Sequence, residues 1–63
     1  MKSRKYPSFQ AAKSDMESKG KLEFFGRVGL NYEACLYNIT LHDGRKYAIK
    51  IYNDGTVELV GSR

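Results

Sequence analysis

Two Asp-Gly pairs, Asp43-Gly44 and Asp54-Gly55, stand in the stretch YNITLHDGRKYAIKIYNDGTVELV, residues 37–60, each between runs of alternating apolar residues. Such a pair between two alternating runs marks a β-hairpin, and the loop length fixes which residues face each other. A two-residue turn at Asp43-Gly44 would set Ile39 opposite Ala48 and Tyr37 opposite Lys50, mixing core with solvent. A three-residue loop, His42-Asp43-Gly44, instead pairs Leu41 with Arg45, Ile39 with Tyr47, Tyr37 with Ile49 and Cys35 with Ile51. A slip of one residue would send every side chain to the other face, so the apolar pattern selects the longer loop. Gly44 then occupies the third loop position, where a type I turn followed by a bulge needs a positive φ. The loop Asn53-Asp54-Gly55 obeys the same rule. It pairs Ile51 with Val57 and Ile49 with Leu59, and on the opposite face Lys50 with Glu58.

Upstream, a loop Gly29-Leu30-Asn31-Tyr32 pairs Phe24 with Tyr37 and Leu22 with Ile39, which keeps the same core face. Before that, Pro7-Ser8 reads as a helix start, with the Ser8 hydroxyl as cap. Residues 9–19 are mostly good helix formers, Lys19 suits the C-terminal end of the dipole, and Gly20 suits a left-handed terminating position. Phe9, Ala12 and Met16 share one narrow stripe of that helix. About eleven residues make too short a helix to stand alone, so the stripe must dock on the sheet. The expected fold is α+β: a helix over about 8–19 packed on one face of a four-stranded antiparallel meander, about 21–28, 33–41, 45–52 and 56–60. Residues 1–7 read as a basic tail and 8–63 as one domain. The outline is similar to that of small SH3-like and Sm-like barrels, but no family motif accompanies it, and fold alone carries no function.

Sixty-three residues make a single domain near the lower limit for folding unaided, and 41% apolar residues mark it as globular. The longest apolar run, Ala34-Cys35-Leu36-Tyr37, is far short of the ~20 residues a membrane span needs. Lys2, Arg4 and Lys5 make the start basic, but no apolar segment follows to complete a signal peptide. One cysteine cannot form an internal disulfide, and small secreted domains usually carry several. A cytoplasmic protein with no membrane partner is expected, with Cys35 as a buried apolar filler.

Catalytic chemistry has little to work with. His42 and Cys35, the single residues of their kinds, are seven apart on one strand, about 23 Å at 3.3 Å per residue and on opposite faces. They form neither a nucleophile–base pair nor a metal site, which would need three or four ligands. The carboxylates are scattered, and Gly26-Arg27-Val28-Gly29 lacks the Lys-Ser/Thr and helix of a phosphate loop. Neither an enzyme, a cofactor nor a metal is expected.

What remains is the sheet face that the helix leaves uncovered. By the pairing above it carries Phe25 beside Leu36, Arg27 beside Ala34, Lys50 between Leu36 and Glu58, and Tyr52 beside Ala34, with Ala48, Val60, Asn38, Thr40 and Lys46 completing it. A solvent face of an antiparallel sheet is ordinarily polar, and exposed apolar patches mark interfaces. The favoured reading is a protein-binding module using Phe25, Arg27, Leu36, Lys50, Tyr52 and Val60, with a second copy of the chain as one candidate partner. The net charge of +4 favours a second reading, because the whole excess lies in residues 1–27, with seven basic groups against three acids. In that reading the chain binds nucleic acid, with Lys2, Arg4, Lys5, Lys21, Arg27 and Lys46 on phosphates and the face aromatics on bases. A third reading curls the sheet so that the face packs on the N-terminal tail and Tyr6 as a second small core.

Overall fold

A computed structural model describes residues 3–62 of the chain, and Met1, Lys2 and Arg63 lie outside the described residues. The elements run β1 (Arg4–Lys5), α1 (Phe9–Lys19), β2 (Gly20–Val28), β3 (Ala34–Leu41), β4 (Lys46–Tyr52) and β5 (Thr56–Ser62). One antiparallel sheet holds all the strands in the order β1-β5-β4-β3-β2. The class is the expected α+β, with five strands where the sequence predicts four. The extra strand comes from the basic segment: Arg4 pairs with Val57 and Lys5 with Thr56, and the Tyr6 N–H donates to the Gly55 carbonyl at 2.9 Å. Two residues carry no alternation to read, and they are ordered by the unpaired edge that β5 offers.

The helix begins as its sequence dictates. Ser8 has extended dihedrals, and its hydroxyl accepts from the Ala11 N–H at 3.1 Å, satisfying one of the first-turn donors. α1 leaves β1 at one edge of the sheet and runs directly into β2 at the other, so its eleven residues, about 16 Å long, cross a sheet about 19 Å wide at ~4.8 Å per strand. Ala12 and Met16 are buried under it, with Phe9 partly buried. They meet Cys35, Tyr37, Ile39, Ile49, Ile51 and Val57 in one core, flanked by Tyr6, Leu22, Leu41, Tyr47 and Leu59. Cys35 is the buried free thiol that its neighbours predict.

Both three-residue loops hold. Ile39 faces Tyr47, Tyr37 faces Ile49 and Cys35 faces Ile51, while Ile51 faces Val57, Ile49 faces Leu59 and Lys50 faces Glu58. Gly44 and Gly55 have φ of 92° and 96°. Around the first hairpin the details differ. Phe24 does face Tyr37 and Leu22 does face Ile39, but the register then slips, so that Gly26 faces Leu36, Arg27 faces Cys35 and Val28 faces Ala34. Phe25 is the extra residue of a β-bulge, next to Gly26 at φ 150°, a conformation that side-chain-bearing residues rarely adopt. The connection consequently runs from Gly29 to Glu33, one residue longer than expected. A second bulge inserts Val60 between Leu59, opposite Ile49, and Gly61, opposite Ala48, and β5 continues to Ser62.

Gly20 does not end the helix in a left-handed turn. Its φ is 175°, extended backbone, and β2 starts there without a loop. Glycine is required at that point for space: a Cβ would lie 2.2 Å from the Thr40 carbonyl oxygen of β3.

Candidate interaction surface

The face away from α1 is laid out in rows by the observed pairing. Val28, Ala34 and Tyr52 form one row; Gly26, Leu36, Lys50 and Glu58 the next; then Glu23, Asn38, Ala48 and Gly61; then Lys21, Thr40 and Lys46. The bulges widen two of them. Phe25 and Gly26 together oppose Leu36, and Val60 and Gly61 together oppose Ala48. Phe25 is 56% exposed and Val60 51%, so both extra residues put apolar surface into solvent at the flanks of the face. Between them Leu36, Lys50 and Tyr52 are half-buried, while Ala34 and Ala48 are buried.

Glu58 organises the middle of this surface. Its Oε1 accepts from the Tyr52 hydroxyl at 3.3 Å and lies 4.0 Å from Lys50 Nζ, so one carboxylate holds two of the expected interface side chains. Arg27 is the expected member that the bulge displaces. It stands opposite Cys35, whose side chain belongs to the helix-side core, and its guanidinium donates to the Tyr32 carbonyl at 3.3 Å. Five of the six expected residues thus remain on or flanking one face, and the sixth crosses to the other side.

The expected phosphate-binding set is dispersed. Lys21 and Lys46 flank Thr40 on the open face, and Lys5 pairs beside Thr56. Arg4 pairs with the core residue Val57, and its guanidinium is stabilised, chiefly by a hydrogen bond with Tyr6 and secondarily by Asp15. Arg27 is tied to the first hairpin, and Lys2 lies outside the described residues.

Three exposed apolar residues escape the sequence reading. Phe24 is 57% exposed although it shares the core parity. Leu30 and Tyr32 project from the first hairpin. Their signal was a large apolar residue in a loop, which burial patterns cannot score. His42 sits exposed in its turn, with Nε2 3.3 Å from the Ser18 carbonyl. Among the described residues no three His, Cys, Asp or Glu side chains group closely enough to hold a metal ion, and no helix is long and apolar enough to cross a membrane. Comparison with known proteins finds no matching family model, no matching curated protein and no matching solved structure.

Proposed function

We propose that this chain is a small non-catalytic protein-binding module that docks through its helix-free sheet face. Phe25, Leu36 and Val60 are the apolar anchors, and Lys46, Lys50 and Tyr52 form the polar surround. The observation that carries this reading is the pair of bulges. Each inserts one extra residue into an otherwise regular strand, and in each case that residue is a large apolar one left more than half exposed. Exposed apolar anchors inside a polar rim are what protein interfaces favour. The third sequence reading, a second core on the N-terminal tail, receives no support: the tail pairs at the sheet edge and Tyr6 packs with the helix-side core. Among the described residues, Arg4, Arg27, Lys21 and Lys46 are dispersed and form no continuous cationic track, which favours the protein reading over nucleic acid.

The test is affinity capture by the full chain with nuclease treatment, repeated with Phe25→Asp and Val60→Asp. A protein retained after nuclease by the native chain and lost by both variants supports the proposal. A bound fraction that disappears with nuclease, or one that both variants retain, overturns it.

A further inference from the structure

β2 ends the sheet, and no strand among the described residues pairs with its outer side. Native proteins usually blunt such an edge, and this chain does so in two places. The Phe25–Gly26 bulge breaks the second half of β2, and β1 covers the start of β5. Residues 20–24 of β2 stay regular, without a bulge, cover or proline. The charges along this stretch also find no ion-pair partner among the described residues. Lys21 faces Thr40 and Glu23 faces Asn38, and neither enters the ion pairs of the described residues, which are Lys19–Asp15, Arg45–Asp43 and Lys50–Glu58.

We infer that this edge pairs with the same edge of a second copy, as an antiparallel two-fold dimer centred on Leu22. A two-fold axis perpendicular to the sheet keeps equivalent faces together, so a pairing is allowed only when opposed residues share a face. Three such registers oppose at least three residues of the regular segment. Centred on Lys21, the pairing sets Lys21 against its own copy; centred on Glu23, it sets Glu23 against its own copy. Both place like charges directly opposite. Centred on Leu22, it sets Lys21 opposite the partner's Glu23 and Glu23 opposite the partner's Lys21, two complementary pairs on the helix-free face. On the helix side, Leu22 meets its copy, and each exposed Phe24 lies across from the partner's Gly20, which has no side chain to obstruct it. The pairing exchanges roughly four to six backbone hydrogen bonds.

The free part of β5 offers no equivalent. Val60 bulges out of it, and Glu58 is its one charge, already engaged with Lys50 and Tyr52. The dimer is a continuous ten-stranded sheet with both helices beneath it, and the two docking faces of the proposed function lie side by side on top. It does not depend on that function, since its contacts run along an edge and not across a face.

Sedimentation velocity on the full chain, from micromolar to millimolar concentration at low salt, tests the inference. The expected result is a concentration-dependent dimer that added salt weakens, because the charge pairs at its rim are screened. Lys21→Glu alone and Glu23→Lys alone each put like charges opposite twice per dimer, and each weakens association about tenfold or more. The double swap Lys21→Glu with Glu23→Lys restores it. Both positions are exposed, and circular dichroism melts verify that the variants fold. A monomer throughout the range overturns the inference, as does a dimer indifferent to the single reversals or a double swap that fails to restore it. A dimer that Val60→Asp dissociates and the reversals leave intact also overturns it, while leaving the face-docking proposal standing.

Discussion

The ring of Phe24 stands edge-on to the ring of Tyr37, with centroids 5.5 Å apart and planes at 63°. The contact sets an exposed ring against a buried one, since Phe24 is more than half exposed and Tyr37 is buried. Burial, with smaller contributions from Cys35 and Glu17, raises the Tyr37 phenol above its ordinary value. A raised pKa in the folded state means that unfolding favours ionisation. The stabilisation is complete below the unfolded value, about 10, and is lost as pH climbs through the folded one. Thermal melts above roughly pH 10 should therefore show a falling midpoint whose steepness Tyr37→Phe reduces.

Acid acts through Asp15, in the C-terminal half of α1. The Tyr6 hydroxyl donates to Asp15 Oδ2, and Lys19 Nζ lies 3.5 Å from the same oxygen. The hydrogen bond from Tyr6 first, then Lys19 and Arg4, hold the Asp15 carboxyl below the ordinary aspartate value. For a depressed acid the stabilisation is present above the unfolded pKa, near 3.9, and disappears as pH falls through the folded one. Removing the donor by Tyr6→Phe should move the Asp15 titration, followed by NMR of its carboxyl carbon, back toward the ordinary value. An unmoved titration would show that Tyr6 does not hold the carboxylate.

Gly44 and Gly55 occupy equivalent loop positions with nearly the same φ, yet they should differ in cost when replaced. At Gly44 an added Cβ meets open space, so Gly44→Ala costs only the left-handed backbone penalty, roughly 1–2 kcal/mol. At Gly55 the same Cβ would sit 2.4 Å from the Tyr6 carbonyl oxygen and 2.9 Å from that of Ser8. Both are backbone atoms, and the segment holding them also joins β1 to the sheet and caps the helix. Gly55→Ala should thus exceed Gly44→Ala in chemical denaturation and should also weaken hydrogen-exchange protection of the Tyr6 amide.

Those two glycines also mark how far the sequence could be read. The Asp-Gly loops, joined to strict alternation, set the register of three strands, because any other register would have buried Lys50 or exposed Ile49. The cap at Ser8 and the stripe of Phe9, Ala12 and Met16 placed the helix for the same reason: local chemistry and core parity agreed. What escaped were features that parity does not encode. The bulge at Phe25 depends on a backbone conformation at Gly26, and it carried Arg27 out of the surface assigned to it. The pairing of Arg4–Lys5 depends on β5 having a free edge, a property of the assembled sheet. Phe24 shares the core parity yet is exposed, and parity alone does not reveal that. Leu36, Lys50 and Tyr52 share the helix-free face because they lie on strands whose register the turns controlled.

Ile51 and Leu36 lie on adjacent strands of the same sheet and point to opposite sides of it, so truncating each should separate the roles of the two faces. Ile51 is fully enclosed between α1 and the sheet, and Ile51→Ala removes packed volume that the short helix cannot shift to fill. Its cost should fall in the range of roughly 2–5 kcal/mol, a large part of the stability of so small a domain. Leu36 faces the open side, half-buried between the Phe25 bulge and Lys50, where solvent already replaces part of its surroundings. Leu36→Ala should cost clearly less in urea unfolding, yet on the proposed reading it should reduce retention of a captured partner as strongly as Val60→Asp does. The opposite pattern, a severe stability loss at Leu36 with partner retention unchanged, would mean that the open side serves as core and that its apolar residues need no partner to explain them.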